Sequence, residues 1–312
     1  MKTNQQLHLL MPKYILVLCL LFMLAACKKT EEKLSPTERP EYGYSVPQGN
    51  NNFDDRIVAY HKRWGTYLLY KFNVQDFTWQ ITGYDKYYKS VGSNEAYINQ
   101  QLDLLDNTFF KYYQDSTLTK YLPSKFFLCS SLTFQNKRVD AFALTSTFIG
   151  GYESFAVNWG NKGILNISSP IDSVSIFRGN VNYSFLKIMN LKGRMGMSDV
   201  FQSITDYVAT ISPTAPATNP TNADLYKRGF LGNSSISTPS NQTDWYSYLQ
   251  VILSNKYANL INPATTATDV SAKGILSPVK DVNGLVRRKY DAMIKFYKEV
   301  YNIDLQKIGD GL

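Results

Sequence analysis

Apolar side chains recur every three or four positions along several stretches of this chain, the spacing that lines one face of a helix. The most regular run is Ile98, Leu102, Leu105, Phe109 and Tyr112, with Ser93 or Asn94 as its cap and Glu95 in its first turn. Ile57, Tyr60, Trp64 and Leu68 predict a helix over 54–70. Val181, Phe185, Ile188 and Met189 predict another, with Gly179 and Asn180 at its start. Val200, Ile204 and Val208 fit a shorter stripe. Trp245, Tyr248, Leu249 and Ile252 predict a helix over 244–254 capped by Thr243. The last helix, over 283–301, has Val286, Tyr290, Met293, Tyr297 and Val300 as its stripe, with Arg287, Arg288 and Lys295 mostly off it.

Between these helices the texture changes to alternation and turns. Strands are predicted at Phe77–Ile81, Lys125–Cys129, Ala141–Phe148, Tyr152–Trp159 and Ile164–Ile167. Gly150–Gly151 and Gly160–Gly163 supply turns, so the later strands are expected as antiparallel neighbours of 125–129. Residues 212–223 hold three prolines and cannot form a regular element; 233–242 and 262–279 also read as loop. The pattern is that of an α+β fold, a small mostly antiparallel sheet followed by a largely helical C-terminal part.

The N-terminal end has a separate character. Lys13 precedes the apolar run YILVLCLLFMLAA, too short for a comfortable membrane span, which ends in Leu24-Ala25-Ala26-Cys27. This resembles a bacterial lipoprotein signal, with cleavage before Cys27 and a lipid on its sulfur. Met11 is an alternative start that gives a more ordinary leader. Removing 26 of the 312 residues leaves 286, and loss of Lys2 and Lys13 lowers the formal charge from +8 to +6. The expected organisation is a signal over 1–26, a polar tether over 27–52 and one domain over 53–312, divided into 53–192 and 193–312. The mild positive balance has no Arg/Lys cluster, which argues against nucleic acid. Lys28, Lys29, Glu31 and Glu32 after the anchor resemble outer-membrane and surface lipoproteins.

Composition narrows the chemistry further. The mature chain keeps His61 as its one histidine and Cys129 as its one cysteine besides Cys27, so no disulfide framework is available. A zinc site needs three or four protein ligands, so His61 reads as an ordinary helix residue. Cys129 reads as a small buried apolar residue with no sequence-adjacent base. Asp140, Glu153 and Asp244 have no spacing that recommends a catalytic pair. The 23 tyrosines and 4 tryptophans suit sugar stacking, although most fall on core stripes. Tyr183, Ser184 and Lys187 share one helical turn, the spacing of His-Glu-x-x-His without its chemical residues. Alone, that segment reads as an ordinary buried helix.

The order of LAAC, LPSKFFLCSS, VNYSFLKIMN, GFLGNSSISTPSNQTDWYSYLQVIL and KYDAMIKFYKEVYNIDLQKI resembles the Bacteroidetes lipoprotein family described as substrate import-associated zinc metallohydrolases. The resemblance spans nearly all of the mature chain. It implies a gluzincin-type, zincin-like metallopeptidase fold and a place beside TonB-dependent nutrient receptors and their surface partners. Aligned by the resemblance, Tyr183 and Lys187 take the places of the two histidine ligands, and Ser184 that of the glutamate base. In the later acidic segment Asp244 alone keeps the family residue. The resemblance thus implies a degenerate member, with no zinc and no catalytic residue, in which Lys187 pairs with Asp244. The expected partners are the membrane through Cys27, an outer-membrane receptor or surface lipoprotein, and a glycan or peptide ligand. Two alternatives stand beside it: an active metallohydrolase with non-standard ligands, and a purely structural partner of an outer-membrane receptor.

Overall fold

The computed structural model describes residues 43–73, 77, 88–144, 154–169 and 172–312. The chain divides into two units, 1–44 and 45–312, and the second carries every element below. Cys27 and the signal, most of the tether, Glu153 and residues 78–81 lie outside the described residues.

Helix α1 runs over Asn52–Trp64, opened by a capping box between Asn51 and Asp54. It ends at Gly65, whose φ of 77° is left-handed, so the helix expected to reach residue 70 stops there. Leu68 kept the helical rhythm in sequence but lies instead on strand β1, Tyr67–Leu69. Gln48 accepts hydrogen bonds from the backbone N–H groups of Tyr70 (2.9 Å) and Lys71 (3.1 Å), so the last residues of the expected tether are held against the fold. Phe77, expected on a strand, is helical and buried.

The sheet is organised on β3, Lys125–Phe134, twice the length foreseen. Its first half pairs in parallel with β1 and with β6, Ser154–Val157. Its second half pairs antiparallel with β2, Tyr88–Gly92, and with β4, Lys137–Arg138. Strand β5, Ala141–Leu144, is antiparallel to β6. The β3–β6 pairing corrects the antiparallel expectation. Gln135 and Asn136, both at positive φ, turn the chain back, and the reversal between β5 and β6 restores the direction of β3. The strand expected at 164–167 is a 3₁₀ turn over Lys162–Asn166, where the Asn161 side chain accepts from Gly163 N–H at 2.7 Å.

The expected amphipathic helix appears as α2, Ile98–Thr108, with a 3₁₀ turn at Phe110–Tyr112 and then α3, Asp115–Tyr121. Helix α4 spans Ser173–Leu191 and is capped by Asp172, well before Gly179. Gly179 lies inside it for a different reason: a Cβ there would meet Ser254 Oγ at 2.7 Å and its Cα at 3.1 Å. The missing side chain lets α4 approach α7, Asn241–Ser254, whose cap is Ser240 rather than Thr243. Helix α5 is confined to Asp199–Ser203. Its expected stripe fails: Val200 and Val208 are 65% and 92% exposed, while Phe201 is buried.

Short helices α6, Asn222–Lys227, and α8, Tyr257–Ile261, lead to α9, Leu285–Tyr301. The Asp281 carboxylate accepts from Val286 and Arg287 N–H, both at 2.9 Å, and so closes the start of α9. Val300 leaves the stripe and is exposed. Helix α10, Leu305–Asp310, docks on α4 and α7. Arg178 donates to Gly309 O at 3.1 Å, and a Cβ on Gly309 would lie 2.6 Å from Asn255 O. One apolar cluster runs from Phe53 to Ile308. At its centre the ring of Phe109 meets Phe155 of the sheet at 6.2 Å and Phe185 of α4 at 5.2 Å. No helix among the described residues is long and apolar enough to cross a membrane.

Candidate functional site

One face of α4 buries Val181, Phe185, Ile188 and Met189, as its spacing requires. The adjoining face carries Tyr183, Ser184 and Lys187, each half-buried. Lys187 Nζ stands 5.4 Å from the ring centre of Tyr183 and 5.2 Å from that of Tyr246 on α7. Tyr246 donates to Asn190 Oδ1 at 2.6 Å, which ties its ring to the next turn of α4. Burial, helped by nearby Tyr183, pushes the Tyr246 hydroxyl up to about 12.

Asp244 sits in the first turn of α7, but its cation is not Lys187. Lys289 Nζ donates to Asp244 Oδ2 at 2.6 Å, and Tyr207 donates to the same oxygen at 2.8 Å. Lys289 is enclosed by the rings of Phe201, Tyr207 and Phe230, at 5.2, 5.1 and 4.6 Å. This corrects the expected Lys187–Asp244 pair: α9, packed beside α7, delivers a nearer ammonium, while aromatic rings hold Lys187. Both members of the pair are buried, with side chains 0% and 1% exposed. Burial raises the Asp244 carboxyl above its usual range and lowers the Lys289 ammonium, each opposed by the partner's charge. Asp244 Oδ1 receives no hydrogen bond among the described residues.

Lys289 was legible in principle. It falls three residues after Val286 and four before Met293, inside the apolar stripe of α9, where a lysine needs a buried partner.

The other singled-out residues do not converge on this site. His61 is half-buried on α1, with Nδ1 3.3 Å from Thr66 O and its ring 4.2 Å from that of Tyr67. Cys129 is buried on β3, and burial pushes its thiol far above the usual range, as a core residue rather than a nucleophile requires. Asp140 accepts from Trp159 Nε1 at 3.0 Å and Asn180 Nδ2 at 2.8 Å, tying the sheet to α4. Glu153 lies outside the described residues, as does Cys27.

The donor set on α4 and α7 does not fit zinc. Lys187 offers an ammonium, Tyr183 a phenol and Ser184 a neutral hydroxyl, and the ligating lone pairs of Asp244 Oδ2 are taken by Lys289 and Tyr207. Among the described residues no group of three or more His, Cys, Asp or Glu side chains is placed to hold a metal ion.

No protein-family model matches this chain, and no curated protein matches it. A crystal structure from Bacteroides caccae ATCC 43185, named "putative zinc-binding metallo-peptidase", is similar to it with a TM-score of 0.52. The likeness covers 82% of this chain and 88% of that one at 12% identity. What the two share across most of their lengths is a fold, here without an evident metal-binding cluster among the described residues.

Proposed function

We propose that this chain is a non-hydrolytic relative of zincin-type peptidases, anchored by lipid at Cys27 on the outer membrane or cell surface. It serves as a binding or accessory component of a TonB-dependent nutrient-import system. The observation that carries the non-hydrolytic half is the side-chain set on α4 and α7. Metal-assisted hydrolysis needs a Lewis acid on its ligands and a free carboxylate to take a proton from water. Tyr183, Ser184 and Lys187 supply neither, and Asp244 is committed to Lys289. The fold would then be kept as a scaffold for binding. The anchoring half rests on the LAAC sequence at 24–27 and the apolar run before it.

One preparation tests both halves. The chain is purified from the membrane fraction, equilibrated with zinc, passed through gel filtration and analysed by mass spectrometry. The expected result is below about 0.1 equivalent of zinc, together with a diacylglyceryl mass on the peptide that begins at Cys27. About one equivalent of zinc overturns the first half. An unmodified Cys27 in a chain that stays soluble overturns the second.

A further inference from the structure

Several lysines among the described residues stand over aromatic rings, and two whose side chains are fully buried hold a carboxylate there. Lys289 holds Asp244 and Lys280 holds Asp269, both at 2.6 Å, beside the rings of Phe230 and Tyr226 respectively. Lys187 has no such carboxylate, though two rings face it. It stands over Tyr183 and Tyr246 with no ion pair or hydrogen bond among the described residues. On the same turn, Tyr183 Oη and Ser184 Oγ also have no hydrogen-bond partner among the described residues. Three adjoining donors on half-buried residues therefore have no protein acceptor among the described residues.

We infer that Lys187, Ser184 and Tyr183 form an anion site that receives the carboxylate of a small ligand. This deepens the binding role proposed above and rests on it. A carboxylate has two oxygens and accepts only, which matches one ammonium flanked by two hydroxyls. The ring faces that hold the ammonium also exclude water from one side of it, and so strengthen a charge-assisted contact there. Tyr246, fixed through Asn190, keeps the ammonium in place before the ligand arrives. With a single cation and no arginine, the set suits a monovalent carboxylate better than a phosphate. Two sources share this chemistry, an acidic sugar and a peptide C-terminus.

Calorimetric titration of the full-length chain in mild detergent separates them. One arm uses oligogalacturonate against the same oligomer as its neutral methyl ester. The other uses a tetrapeptide with a free C-terminus against its C-terminal amide. At least one acid is expected to bind about tenfold or more tighter than its neutral partner. Lys187→Met should lose that factor and Lys187→Arg should keep most of it, with unchanged thermal unfolding of both variants. Ser184→Ala, a smaller change, should weaken the acid alone, and covers the case in which Lys187→Met fails to fold. Equal binding of acid and neutral forms overturns the anion site and leaves the accessory-binding reading standing. Acid binding that survives both Lys187→Met and Ser184→Ala, or binding in neither arm, also overturns it. A full equivalent of zinc would instead defeat the reading beneath it.

Discussion

Asp244 and Lys289 show how one residue's surroundings set its value. An ion pair taken fully out of water recovers its desolvation cost only through close geometry, and Asp244 Oδ1 here goes unsatisfied. The pair is therefore costly to break and inexpensive to replace whole. Asp244→Asn should destabilise the fold by about 3–5 kcal/mol, because it strands an ammonium among aromatic rings. Asp244→Asn combined with Lys289→Met should recover most of that loss, as urea unfolding of both variants would show. A double variant as unstable as Asp244→Asn alone would mean that the stranded ammonium is not the source of the loss. At this scale the sequence revealed half of the arrangement. Asp244 stands out through a resemblance, whereas the one mark of Lys289 in the sequence is its place inside the apolar stripe of α9.

Among the elements, α4 and α7 depend on a glycine for their separation. Gly179→Ala gains helix propensity but places a Cβ 3.1 Å from the backbone Cα of Ser254. A backbone atom cannot rotate aside, so α7 must shift. The expected net cost is about 1–3 kcal/mol, read as a lower urea midpoint with an unchanged slope. A neutral or stabilising result would show that the two helices separate freely. Periodicity identified α4 and α7 and the faces they bury, since a core-facing stripe is a local property of sequence. It misplaced their starts, because Gly179 reads as a break and acts as a contact, and because Ser240 and Thr243 are equally good caps by type. Leu68 likewise keeps a helical spacing that continues through Gly65, and only the left-handed turn there ends the run.

For the whole molecule, the α+β class, the mostly antiparallel sheet and the helical C-terminal part were legible, whereas the parallel pairs of β3 were not. Parallel pairing of β1, β3 and β6 depends on how many times the chain reverses between them, and no local pattern records that count. Electrostatics at this scale gives a pH dependence. A hydrogen bond from Lys280, with another from Ser271, holds the Asp269 carboxyl down at about 2 from the usual 3.8. A carboxylate with a lowered folded-state pKa lends stability above its unfolded value and loses it as it protonates. Stability should therefore fall as pH drops from about 4 toward about 2, and Asp269→Asn should flatten the urea midpoint across that window. Equal slopes would show that Asp269 does not contribute, and its partial exposure keeps the effect small. The docking of α10 has a bearing on the order of events during synthesis. Ile303, Leu305 and Ile308 are fully enclosed, and Gly309 caps Arg178 from 131 residues away. Until those residues leave the ribosome, α4 and α7 have no lid on their shared end, and the nascent chain cannot settle. Closure of this core therefore comes after α4 and α7 have been made, because it waits on a contact of long sequence separation.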